Sequence, residues 1–155
     1  LLRRLELVRL QKRTNAIFWG VVKDNELFDC IRCKPPFHIS ADAALAGSRK
    51  KNQNLARHSQ KRRGKDSTTT NQSSLNFGGQ HSELWCEGGE FEFVKSMITE
   101  SVAFKTQVKW FTTLLSKKDN VLPLLTLAEK LGATECKTIN MAQGAKASRF
   151  IAWRF

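Results

Sequence analysis

Apolar and small residues recur at helical spacing from Glu90 to Phe104. Phe93, Val94, Met97, Ile98, Ser101 and Val102 share one face there and predict an amphipathic helix with that face buried. Val108 to Leu115 is a largely apolar run of strand length, as expected for a strand covered on both faces. Leu27 to Cys33 also reads as a strand, and Pro35-Pro36 stops it because proline cannot continue a ladder. Asp119 or Asn120 is expected to cap a helix running to Leu131. Pro123 falls in its first turn, where no intrahelical N–H is lost, and Gly132 ends it. Ala133 to Asn140 and Ser148 to Phe155 read as two closing strands, joined by a loop from Met141 to Ala147. Leu5 to Leu10 alternates imperfectly and predicts a further strand, followed by an apolar patch from Ala16 to Val22. Strand, helix, strand, helix and a strand pair give an α/β fold with the Val108 strand central.

Between these elements the pattern changes. A short helix is expected over Ala41 to Ala46, capped by Ser40 or Asp42 and ended by Gly47. From Ser48 to Ser74 apolar residues nearly vanish. Arg49, Lys50, Lys51, Arg57, Lys61, Arg62, Arg63 and Lys65 face a single acid, Asp66, and Ser67 to Ser74 is uncharged and polar. Such a stretch buries too little to order itself and reads as a basic, mobile loop (48–74) inside the domain. Order is expected to resume over Leu75 to Gln80, with a turn at Gly88-Gly89.

The whole chain has the size and composition of one domain: 155 residues, 41% of them hydrophobic, with four Trp and ten Phe to fill a core. Twenty-six Lys and Arg against 14 Asp and Glu leave a net charge of +12. That balance points to a polyanionic partner, most often nucleic acid, over a merely solvated cationic surface. The longest nearly apolar run, Val121 to Leu125, is far below the roughly 20 residues of a membrane span, and no secretory signal opens the chain. Cys30 and Cys33 form a C-x-x-C, but on a strand they point to opposite faces, and Cys86 and Cys136 stand alone. Buried, reduced cysteines, no metal site and a cytoplasmic setting are expected.

Candidate chemistry concentrates at Lys34-Pro35-Pro36-Phe37, directly after the Leu27 strand. Ligands of open α/β sheets bind beyond the carboxyl ends of strands. An Asn/Asp-Pro-Pro-aromatic tetrapeptide in that place is a hallmark of methyltransferases acting on exocyclic amines. Adenine N6 is a poor nucleophile because its lone pair is delocalised into the ring. A side-chain carbonyl and the first proline's backbone carbonyl can accept its two N–H groups, while the aromatic side chain stacks on the base. A rigid Pro-Pro turn followed by a core Phe is the other reading of the same residues.

The remaining blocks carry a resemblance. Ala16-Ile17-Phe18, Pro35-Pro36-Phe37-His38, Ala46-Gly47-Ser48, Leu75 to Gln80, Glu83 to Glu90, Met97-Ile98 and Glu100-Ser101 belong to it. So do Trp110-Phe111-Thr112, Met141 to Gly144 and Ser148 to Trp153. Across nearly its whole length the chain resembles the ribosomal RNA large subunit methyltransferase F family, with spliceosomal snRNA adenine methyltransferases as more distant relatives. The resemblance implies the C-terminal half of a Rossmann-like, class I methyltransferase sheet ending in an antiparallel strand pair. It also implies methyl transfer from S-adenosylmethionine to adenine N6 in 23S ribosomal RNA. By it, Pro35 supplies a backbone acceptor, Phe37 a stacking face, and position 34 a side-chain acceptor. Gln143-Gly144 and Arg149 lie in or beside the loop between the last two strands, near where family members meet substrate, and a purely structural turn is the equal alternative there.

Two departures qualify that expectation. No Gly-x-Gly turn for S-adenosylmethionine occurs in the chain, so it reads as a partial domain whose N-terminal, cofactor-binding half is absent. On that reading, Leu27 to Cys33 is an exposed apolar edge and folding is poor without a partner. Second, Lys34 stands where the family has Asn, and an ammonium has three donors and no acceptor. Losing one transition-state hydrogen bond of this kind costs about 10²-fold or more in rate. Together the departures point to an impaired enzyme, with a non-enzymatic RNA-binding remnant as the alternative. Ribosomal RNA is the expected partner, gripped by the basic residues of the loop through phosphate contacts. His38, His58 and His81 show no metal spacing and receive no catalytic role. Glu83, Glu87, Glu90 and Glu100 resemble an acid/base cluster only in composition, and Glu90 more simply favours the start of its helix.

Overall fold

The computed structural model describes residues 8–40, 85–143 and 146–155. The chain divides into two compact units, one formed by Leu1–Pro35 with Phe91–Phe155 and the other by Pro36–Glu90. The expectations for Ala41 to Ala46, the basic loop and Leu75 to Gln80 lie outside the described residues.

In the first unit a four-stranded sheet is built from β1 (Phe28–Cys33), β2 (Val108–Leu115), β3 (Glu135–Gln143) and β4 (Lys146–Arg154), in the order β1-β2-β4-β3. β1 and β2 are parallel, with Cys33 opposite Thr113, while β4 runs antiparallel to both β2 and β3. The α/β class, the internal position of β2 and the terminal antiparallel pair agree with the sequence reading. The hairpin differs. Pairing continues to Gln143 opposite Lys146, so Met141 to Ala147 is mostly ladder and not a loop. Its small and polar residues form no apolar run, so a search for apolar runs passes over it.

α1 (Gly89–Ser101) and a 3₁₀ turn, Val102–Phe104, realise the expected amphipathic helix. Val94, Met97, Ile98 and Ser101 are fully buried with Phe111, Leu115, Ile151 and Trp153 of the sheet. α2 (Val121–Lys130) adds Leu124 and Ala128 to the same core. Neither Asp119 nor Asn120 caps α2 as expected: a 3₁₀ turn, Lys118–Asn120, leads into it, and Asn120 makes no side-chain capping bond. Its other end follows the sequence. Gly132 takes φ +99°, the Gly132 N–H donates to Glu129 O and the Ala133 N–H to Ala128 O, which is a Schellman stop.

One buried polar chain ties helix to sheet. Trp153 Nε1 donates to Ser101 Oγ at 2.9 Å, and Ser101 Oγ donates to Ile98 O at 2.6 Å. Satisfying the indole N–H removes the penalty of burying it. Trp153 also stacks on Phe111, ring centroids 5.8 Å apart. Glu100, near the end of α1, accepts the backbone N–H groups of Ile17, Phe18 and Trp19 at 2.7–2.8 Å. This grip seats Phe18 against Phe104 and Phe111. The apolar patch from Ala16 to Val22 is therefore a pinned turn. Residues 8–10 are not in a strand, and the rest of the expected Leu5 to Leu10 strand lies outside the described residues.

Coverage of β2 is one-sided among the described residues, contrary to expectation. Phe111, Thr113 and Leu115 are buried on the helix side, while Trp110, Thr112 and Leu114 are half-buried on the other. That second face carries Lys137 and Arg154 over the Trp110 ring and Arg32 over the Phe150 ring. β1 is an edge strand of this sheet and its exposure is mixed: Leu27, just before it, is exposed as the apolar-edge expectation has it, while Asp29 and Arg32 are the exposed charges along it with Cys30 between them. No helix among the described residues is long and apolar enough to cross a membrane.

Candidate functional site

The site begins where β1 ends. Cys33 is the last ladder residue, and Lys34 follows it in the open, exposed to solvent. Pro35 and Pro36 are then buried and Phe37 is half-buried. The proline rings fix φ and offer no N–H, so this segment leaves the ladder with its carbonyls as its only backbone polar groups. The sequence placed Lys34, Pro35, Pro36 and Phe37 directly after a strand; β1 ends at Cys33 and pairs parallel with β2.

In the second unit, the segment after Pro36 is held by Trp85 to Gly89. His38 and Trp85 form a β-bridge, and the Cys86 N–H donates to His38 O at 3.1 Å. Gly88 and Gly89 take φ +75° and +63° to turn the chain into α1. A Cβ at Gly89 would lie 2.8 Å from Ile39 Cγ2, so the two segments approach too closely for a side chain. Phe37 thus sits between a β ladder on one side in sequence and a bridged residue on the other.

The cysteines are not all buried as expected: Cys30 is exposed and the other three are half-buried. Burial pushes the Cys33 thiol up to about 11, partly offset by the neighbouring Thr113 hydroxyl. Thr113 Oγ1 is itself buried without a hydrogen bond of normal geometry. Burial also raises the Cys86 and Cys136 thiols. Cys30 lies beside Thr112 and Cys33 beside Thr113, on opposite faces as strand periodicity requires. Glu100, grouped by composition with an acid/base cluster, commits its carboxylate to backbone N–H groups.

Sequence reading named Arg149 at this end of the sheet but missed Lys117 and Lys118. Lys117 and Lys118 follow β2, and Arg149 lies in β4 opposite Leu115, its Nη1 donating to Ser116 O at 3.3 Å. The signal was present, since Lys117 and Lys118 come directly after an apolar strand, but strand order was needed to put them near Lys34. The basic residues Arg49 to Lys65 lie outside the described residues.

The chain spans less than half the length of the curated relatives it matches. It is 51% identical over 148 residues to the ribosomal RNA large subunit methyltransferase F of Saccharophagus degradans, covering 96% of this chain and 45% of that protein. The protein of the same name from Vibrio parahaemolyticus is 48% identical over 155 residues, covering 98% and 41%. Among solved structures, the hMettl16 catalytic domain in complex with MAT2A 3′UTR hairpin 1 matches with a TM-score of 0.59 and 26% identity, over 87% of this chain and 42% of that one. The N-terminal domain of human METTL16 in complex with SAH shares the fold at a TM-score of 0.51, 23% identity and coverage of 86% and 36%. A family model described as RNA methyltransferase matches residues 1–155, and with relatives at half identity over nearly every residue, the chain belongs to that family.

Proposed function

We propose that this chain is the base-binding part of an enzyme that methylates adenine N6 in 23S ribosomal RNA, with S-adenosylmethionine as donor. The carrying observation is the buried Pro35-Pro36 pair leaving the carboxyl end of a parallel strand, in a chain of the RNA methyltransferase family. Pro35 O would accept one N–H of the amine and Phe37 would stack on the ring. Holding the amine by its hydrogens lets the lone pair leave conjugation and face the methyl donor. Position 34 would supply the second acceptor, and Lys34 has none to give. The donor supplies an electrophilic methyl group when bound. This chain has no Gly-x-Gly turn to cradle it, so its residues do not fit that role, which we assign to sequence outside these 155 residues.

On this reading the chain is a partial domain whose reaction is impaired by Lys34. The second reading, an RNA-binding remnant, is favoured by that same residue. One experiment separates them. The matching 148-residue segment of the Saccharophagus relative is replaced by this chain, with Lys34 or with Lys34→Asn. Methylated adenine in 23S ribosomal RNA is then measured by mass spectrometry. The proposal expects transfer with Lys34→Asn at least about 10²-fold faster than with Lys34. Equal rates would remove position 34 from the mechanism, and RNA binding without transfer by either chimaera would favour the remnant.

A further inference from the structure

The two ends of the sheet carry cations in different company. At the amino end of β1 and β2, Lys109 Nζ lies 2.6 Å from Asp29 Oδ1, while Lys137 and Arg154 share Glu135 at 2.7 and 2.8 Å. Lys137 and Arg154 also lie over the Trp110 ring. At the carboxyl end stand Lys34, Lys118 and Arg149. Among the described residues none of these three has a carboxylate within ion-pair distance.

The strand ends that carry them are neighbours by register. Cys33 pairs with Thr113 and Leu115 with Arg149, so the ends of three adjacent strands lie side by side. Two strand spacings of about 4.8 Å span roughly 10 Å. That is about the Debye length at 0.1 M salt, so these charges feel one another only in part at that salt and more strongly as salt is lowered. Lys34 and Lys118 are exposed. Arg149 uses one donor on Ser116 O and keeps the rest of its fork. Three cations against one neighbouring acid, Asp119, beside a candidate base site suit a polyanion.

We infer that Lys34, Lys118 and Arg149 form a phosphate track that holds the backbone of the RNA strand across the carboxyl end of the sheet. The inference rests on the RNA reading above and adds which surface grips the strand. It also accounts for Lys34, since the side chain that cannot accept the adenine amine contributes to the hold on the RNA. Phosphate contacts of this kind position a strand without reading its sequence.

The test titrates the 155-residue chain against a labelled single-stranded RNA oligonucleotide over a series of KCl concentrations. Lys34→Asn and Lys118→Gln are each expected to weaken binding and to flatten the slope of log affinity against log salt by about 0.7. Arg149→Lys keeps the charge and should leave the slope in place. Lys109→Gln and Lys137→Gln, at the amino end, should leave affinity and slope unaltered. Unchanged slopes for the carboxyl-end variants, or equal flattening by the amino-end ones, would overturn the track while RNA binding itself stood. Failure to bind RNA at any salt by a parent chain that circular dichroism shows to be folded would overturn the RNA reading and the track together.

Discussion

The amino and carboxyl ends of this sheet use the same kinds of residue for different ends. At the amino end, every acid–base encounter closes on itself: Asp29 takes Lys109, Glu135 takes Lys137 and Arg154, and Glu26 takes Arg9. At the carboxyl end, prolines are buried, a lysine is exposed, and Lys34, Lys118 and Arg149 form no ion pair among the described residues, although Asp119 follows Lys118. A fold gains from neutralising its own charge. Where it does not, a ligand of opposite charge is the simplest account.

The comparison can be broken most sharply at position 34. In the chimaera, Lys34→Asn should raise methyl transfer by about 10²-fold or more, while the same change weakens the hold on RNA. Opposite movement of rate and affinity from one side chain is the signature expected of the carboxyl end alone.

Both ends depend on one core, so its loss should erase the difference between them. Phe111→Ala, removing a fully buried ring that packs on Phe18 and Trp153, should cost about 3–5 kcal/mol in a urea melt. Glu100→Ala should cost less, on the order of 2 kcal/mol. It frees three N–H groups at a partly solvated turn, and charged hydrogen bonds of this type contribute about 1.5–3 kcal/mol.

The smallest effect belongs to the amino end. The Arg9 guanidinium and the Lys23 N–H hold the Glu26 carboxyl down to about 2. A depressed carboxyl contributes stability above its unfolded pKa, near 4.5, and that contribution is lost as pH falls toward 2. Glu26→Gln should therefore melt earlier than the parent chain at pH 6. The gap should close between about pH 4.5 and 2.

Much of this was legible from residues. Gly132 announced its helix stop, the spacing of Val94, Met97, Ile98 and Ser101 announced the buried face, and Pro35-Pro36 announced the end of β1. Local rules suffice where the partner is a few residues away. They failed at Met141 to Gln143, where polar and small residues hid a ladder, and at the second face of β2, whose apolar run suggested more cover than the described residues provide. The grouping of the carboxyl-end cations was invisible for a different reason. Lys34, Lys118 and Arg149 are far apart in sequence, and only the order β1-β2-β4 brings them to neighbouring strand ends. Glu100 misled by composition, since nothing local shows that its partners are the N–H groups of Ile17 to Trp19.

The most direct measurement is a lysine acetylation footprint of the chain with and without RNA, read by mass spectrometry. RNA should shield Lys34 and Lys118 and leave Lys109 and Lys137 as reactive as before. Equal shielding at both ends of the sheet, or shielding of the amino end alone, would contradict the account.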